Sequence, residues 1–106
     1  MKYHFRVGRG KNIMISGDET FEVLGFRILR EYRIDPDHLF MFEFANGDAT
    51  DSASPFGPIN DGLGNVSIEM KIKDRKIDVG EIMTLVYDYS SSWTRKVKLV
   101  EICDVP

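Results

Sequence analysis

The sequence has one cysteine, two histidines and no long hydrophobic run. A lone cysteine excludes an intramolecular disulfide and any metal site built on paired cysteines. Cys103 follows a hydrophobic strand pattern close to the C-terminus, where an apolar filler or a frayed-end thiol is expected rather than a nucleophile. No stretch approaches the roughly 18 apolar residues of a membrane span, so no membrane role is expected. The opening MKYHFRVGRGKN lacks the apolar run of a secretory leader, and the chain reads as cytoplasmic. Basic excess is missing as well: 14 Lys and Arg stand against 17 Asp and Glu, a formal net charge of −3. That field opposes nucleic-acid binding, which relies on cations displacing counterions from phosphates.

What is present suits one globular domain. At 106 residues, 42% hydrophobic and 29% charged, the chain is long enough for one core and too short for two. Lys2–Val7 alternates, with Tyr3, Phe5 and Val7 against Lys2, His4 and Arg6, which predicts a half-buried strand. Gly8-Arg9-Gly10-Lys11-Asn12 is turn chemistry, and Ile13–Ile15 is the returning strand of a hairpin. The two glycines do not make a phosphate loop, since no helix follows at once and no Gly-Lys-Ser/Thr appears.

A helix is expected from Thr20 to about Tyr32. Ser16 with Glu19 fits a capping box, and Thr20 is the alternative cap. Phe21, Leu24, Ile28, Leu29 and Tyr32 form one apolar stripe, while Glu22, Arg27, Arg30 and Glu31 form the wet face. Gly25 lies inside that stripe, where it implies close approach of the helix to a sheet. Pro36 ends the helical region.

His38–Ala45 predicts a central strand, with Phe40, Phe42 and Phe44 on one face and Leu39, Met41 and Ala45 on the other, covered on both sides. Residues 46–65 read as a long solvated loop with Phe56 and Ile59 tucked inward, either functional or mobile. Its Asp48, Asp51 and Asp61 lack the spacing of a calcium loop. Val66–Lys73 alternates and predicts another strand; Lys73–Lys76 and Asp78–Glu81 are turns. Met83–Tyr89 and Thr94–Ile102 form a hairpin about Ser90–Ser92. The apolar phase of the last strand shifts between Leu99 and Val100, which implies a bulge or burial on both sides. The expected fold is a single α+β domain with one main helix packed on a mostly antiparallel sheet of five to six strands.

His38-Leu39 with Phe42, then Gly80-Glu81, Leu85, Tyr87-Asp88-Tyr89 and Trp93, in this order of elements, resembles the plasmid pRiA4b ORF-3-like family across nearly the whole chain. The resemblance implies an α+β fold but no established activity; some members carry a transposon-passenger, resolvase-like label. This chain departs from the pattern at Phe40, where the family has a second His, at Ser90–Ser92 in place of a Gly-Asp-Gly turn, and at Arg95 in place of a His.

Three functional classes follow. The first is a non-catalytic binding or interaction module for a protein partner or small ligand, acting through the helix-opposed face or the 46–65 loop, with Trp93, Tyr87, Tyr89 and Phe56 as aromatics near loops and strand ends. A second is a hydrolytic or metal-dependent enzyme with a degenerate site, for which only His38 and Asp88, helped by Asp37 or Glu43, are available. The third, resting on the family label alone, is an accessory of a mobile element or DNA transaction. No catalytic, metal or cofactor residues are assigned and no cofactor is expected. His38, Asp88 and Trp93 are the candidate polar or ligand-facing positions, and an exposed strand edge allows a homodimer.

Overall fold

The computed structural model describes residues 1–59 and 61–104. Seven strands form one antiparallel sheet: β1 (Lys2–Val7), β2 (Lys11–Ser16), β3 (Phe40–Glu43), β4 (Ser52–Ser54), β5 (Gly57–Ile59), β6 (Ile82–Tyr87) and β7 (Trp93–Cys103). Their spatial order is β2-β1-β7-β6-β3-β4-β5. Two helices accompany it, α1 (Phe21–Glu31) and the single turn α2 (Ile72–Arg75). The expectation of one helix on five to six strands is therefore corrected: the protein is mostly antiparallel sheet, with seven strands and two short helices among the described residues.

The period-two segments at the two ends of the chain form strands as expected. Tyr3, Phe5 and Val7 of β1 are buried with Ile13 and Ile15 of β2, Met83, Leu85 and Tyr87 of β6, and Val97 and Leu99 of β7. Between His4 and Phe5 the pairing with β7 jumps from Glu101 to Leu99, leaving Val100 as the extra residue of a bulge. The bulge accounts for the phase shift, because one added residue turns all later side chains to the opposite face.

Helix α1 starts at Thr20, whose hydroxyl accepts from the Val23 amide at 3.2 Å. Ser16 instead accepts from Asp18, so the capping box gives way to the simpler cap. Phe21, Leu24, Ile28 and Leu29 are buried, and Gly25 sits directly against the ring of Phe40. A side-chain-free position there lets the helix axis come down onto β3.

Other expectations fail. Val66–Lys73 is not a strand of the sheet, although Val66, Ile68 and Ile72 do point inward. Its backbone serves the start of α1 instead: the Phe21 and Glu22 amides donate to the Met70 and Ile68 carbonyls at 3.1 and 2.9 Å. Those amides have no partner within a helix, so a neighbouring extended segment can satisfy them in place of a sheet neighbour. Alternation reports one buried face, not which backbone the segment pairs with.

The segment 46–65 is not a structureless loop, since it contains the β4–β5 hairpin; Asn60 within it lies outside the described residues. Ser52, Ala53 and Ser54 are all buried, and both serines are satisfied: Ser52 meets the Tyr89 hydroxyl at 2.6 Å and Ser54 donates to the Gly57 carbonyl at 2.9 Å. Polar residues in a buried strand hide it from hydrophobic patterning, and the hydrogen bonds are what make their burial tolerable. Phe56, expected to fold inward, is 99% exposed at the hairpin tip, and Ile59 is exposed as well.

Strand β3 lies inside the sheet, between β6 and β4, but is not covered on both faces. Phe40, Phe42 and Phe44 are buried, whereas Leu39 and Met41 are half-buried and Glu43 and Ala45 exposed. Both helices cover the same face, leaving the other to solvent.

Candidate functional site

The three residues singled out from the sequence come together around Tyr87, the last residue of β6. Tyr87 pairs with Trp93 across the β6–β7 hairpin and with Phe40 on β3. Its ring meets the edge of His38 at 5.9 Å and of Trp93 at 6.1 Å between centroids. Its hydroxyl donates to the Asp35 carbonyl at 2.6 Å and to Asp37 Oδ1 at 2.9 Å, tying the sheet to the chain that leaves α1. Burial, and then the neighbouring Asp37, push the Tyr87 hydroxyl above its ordinary pKa.

Asp88 follows with φ 54°, a left-handed conformation that aspartate tolerates. Its amide donates to Leu39, its carbonyl accepts the Ser91 and Ser92 amides, and its carboxylate accepts the Ser90 hydroxyl at 2.9 Å. The Ser90 bond chiefly, with Ser91 and His38 adding to it, holds the Asp88 carboxyl below its usual range. His38 Nδ1 lies 3.9 Å from Asp88 Oδ1 and Nε2 lies 3.6 Å from Asp37 Oδ1. Both exceed the roughly 2.6–3.2 Å across which acid–base chemistry passes a proton. A carboxylate engaged in forming its own turn, beside a half-exposed imidazole, is a turn device. Glu43 is exposed on the outer face of β3, and no group of three or more His, Cys, Asp or Glu side chains among the described residues is placed to hold a metal ion.

The next shell around Trp93 has a different character. Trp93 is half-buried, meeting the Tyr32 ring edge-on at 5.4 Å. The Arg95 guanidinium lies 4.2 Å from the Trp93 ring centre and 5.1 Å from that of Tyr32, with Lys11 Nζ at 5.5 Å from Tyr32. Gly8, Arg9, Tyr32 and Thr94–Lys96 line a hollow of about 580 Å³ beside them.

A second concavity, of about 610 Å³, runs along the outer side of α1 between Val23, Phe26, Ile34 and Pro36, edged by Arg27, Arg30 and Arg33 and by one carboxylate, Asp35. Among the described residues no carboxylate lies within 4.0 Å of any of these three guanidiniums, and Arg27 donates to the Met14 carbonyl at 2.8 Å. Patterning placed Arg27 and Arg30 on the wet face and passed over Val23 and Phe26. Those two apolar residues outside the main stripe were the available signal for a second apolar surface.

The 46–65 segment is held by Asp48, which accepts from Asn46 and Asn65 at 3.0 Å each and from Arg75 at 2.8 Å. The Asn65 bond, then those from Arg75 and Asn46, lower its pKa from 3.8 to about 2. Arg75 also stacks on Phe44 at 4.2 Å. The nearby hollow, lined by Ala45, Asn46, Arg75, Lys76 and Glu81, is polar and holds no aromatic ring.

No protein-family model and no curated protein matches this chain. Among solved structures it is similar to a crystal structure of a protein of unknown function from Methanosarcina mazei Go1, at 25% sequence identity and a TM-score of 0.72. The match covers 94% of this chain and 60% of that one, so the chain spans less than two thirds of its neighbour's length.

Proposed function

We propose that this protein is a non-catalytic interaction module whose working surface is the α1 groove, and that its partner is an acidic amphipathic segment. The observation that carries this reading is the pairing of a half-buried apolar floor, Val23, Phe26 and Ile34, with three arginines along its rim in a chain of net charge −3. Apolar side chains left half-covered gain on burial, at about 25 cal/mol per Å² removed from water. Arginines along the rim select a partner carrying carboxylates at matching spacing, by charge-assisted hydrogen bonds and by steering the encounter. Helix-in-groove docking of this kind needs no catalytic group.

Three further parts belong to the same proposal. Membership of the plasmid pRiA4b ORF-3-like family is supported by the order of hairpin, helix, Phe-rich strand and Trp-bearing hairpin. A cytoplasmic setting is supported by the single cysteine; among the described residues no helix is long and apolar enough to cross a membrane. The enzymatic reading loses support because His38 and Asp88 are not in proton-transfer contact.

The test is fluorescence anisotropy with a labelled helical peptide carrying Leu on one face and Glu beside it, read at low salt, where exposed charges attract most. Saturable binding is expected, lost in Arg27→Glu/Arg30→Glu and recovered when that variant meets a peptide with Lys replacing Glu. Equal affinity of the native chain for the Glu and Lys peptides, or no binding to either, overturns the proposal.

A further inference from the structure

Beside Tyr32 two distant stretches of the chain, the β1–β2 hairpin and β7, bring cations together. Arg9 comes from the β1–β2 turn, Lys11 from the start of β2 and Arg95 from β7, and all three surround the residue that ends α1. Among the described residues no carboxylate lies within 4.0 Å of any of the three, whereas Lys73 and Arg75 elsewhere are paired. Cations gathered without counter-charge repel one another, which an anion between them would relieve.

Arg95 is also held in place. Its guanidinium lies over the Trp93 ring and also against Tyr32, the two rings touching each other edge-on, and Nη1 donates to its own neighbour's carbonyl, Thr94 O, at 2.7 Å. That is the one hydrogen bond it makes to the described residues, so most of its five N–H donors remain available. A guanidinium fixed by stacking loses less freedom on binding an anion than a free one. Tyr32 in turn is seated against Gly8, where a Cβ would lie 2.5 Å from its hydroxyl. Lys96 contributes its backbone rather than its charge, since its ammonium reaches Thr84 Oγ1 at 3.3 Å on the other side of β7.

The aromatic rings are already occupied. Trp93 has Arg95 against it and the rings of Tyr32 and Tyr87 packed edge-on, so recognition rests on charge rather than on stacking a base. The hollow, at about 580 Å³, is the size of a small-molecule site; Arg9 and Arg95 line it and Lys11 lies over the adjoining Tyr32 ring, so the cations cluster about one ring instead of tracking along a groove.

We infer that Arg9, Lys11 and Arg95 form a binding site for a small phosphorylated compound, held through a phosphate or diphosphate group, distinct from the α1 groove. Trp93 is the only tryptophan and touches Arg95, so its emission reports directly on the site. The experiment titrates the full chain with inorganic pyrophosphate at low salt, following emission and calorimetric heat, with orthophosphate and a short duplex DNA in parallel arms.

Saturable one-to-one binding is expected, tighter for pyrophosphate than for orthophosphate. It should weaken by about tenfold in Arg95→Gln and again in Arg9→Gln, each removing a charge-assisted contact. For Arg95→Gln the heat is the readout, because that change alters the tryptophan's surroundings by itself. Arg9→Gln lies in an exposed turn and keeps the test valid where Arg95→Gln fails to fold. The Arg27→Glu/Arg30→Glu variant should bind pyrophosphate as the native chain does, which separates this site from the peptide groove. Absence of binding at millimolar pyrophosphate, native affinity in Arg9→Gln, or tighter binding of duplex DNA than of pyrophosphate overturns the inference.

Discussion

Gly25→Ala tests the packing of α1 on the sheet, because two opposing effects act at one position. Alanine in a helix interior is favoured over glycine by about 1 kcal/mol, so on an exposed turn the change would stabilise. Here the added Cβ would lie 2.1, 2.5 and 2.8 Å from three ring atoms of Phe40. Carbon atoms in good contact sit about 3.5–4.0 Å apart, so ring or helix must retreat by more than about 1 Å.

The ring has no free space to move into. Phe40 is fully buried, with Phe26 edge-on at 5.0 Å and Phe42 at 6.4 Å. Lifting the helix instead would loosen Phe21, Leu24, Ile28 and Leu29 together. Overpacking of this kind costs about 3 kcal/mol at the upper end of the usual range. Set against the propensity gain of about 1 kcal/mol, the net loss is about 2 kcal/mol. With a urea m-value of about 2 kcal/mol/M, the midpoint falls by about 1 M.

Phe40→Leu supplies the control. It removes the ring atoms that the Cβ meets, so in that background Gly25→Ala should be neutral or stabilising, a coupling of about 2 kcal/mol between the two sites. A Gly25→Ala midpoint at or above the native one would refute the reasoning, as would an equal loss in both backgrounds.

Other consequences can be measured separately. Gly64→Ala places a Cβ 2.1 Å from the Thr50 carbonyl oxygen, a backbone atom that cannot rotate away; a loss of about 2 kcal/mol or more is expected in the same urea assay. Asp48 has its folded pKa depressed from 3.8 to about 2, so its stabilisation is complete above the unfolded value and is lost as pH falls through about 2. Acid unfolding should therefore steepen between about pH 4 and pH 2, and Asp48→Asn, followed by circular dichroism against pH, should lessen that slope. Tyr87→Phe removes the hydroxyl that reaches Asp35 and Asp37 and should cost about 1 kcal/mol in thermal or urea unfolding. His38→Ala, in contrast, should stay within about 0.5 kcal/mol of the native chain, since its imidazole is half-exposed and beyond hydrogen-bond reach of Asp37 and Asp88.

The sequence by itself determined the features that depend on neighbours a few residues away. Alternation in Lys2–Val7 and in the final hairpin, the apolar stripe of α1, the turn glycines and the break in phase at Val100 are local signals, and each appears where it was read. Even the reason for Gly25 was legible, because an unfavourable residue in a buried helical stripe implies something pressed against it. Tertiary structure alone decided where backbone groups found their partners. Residues 66–73 carry a strand's pattern but complete the first turn of a helix, and the buried Ser52–Ser54 strand depends on Tyr89, thirty-seven residues away from Ser52. The candidate surfaces follow the same division. Arg9, Lys11, Tyr32 and Arg95 are unremarkable one by one, and a pattern of nearest neighbours carries no record of charges from two distant segments meeting around a single ring.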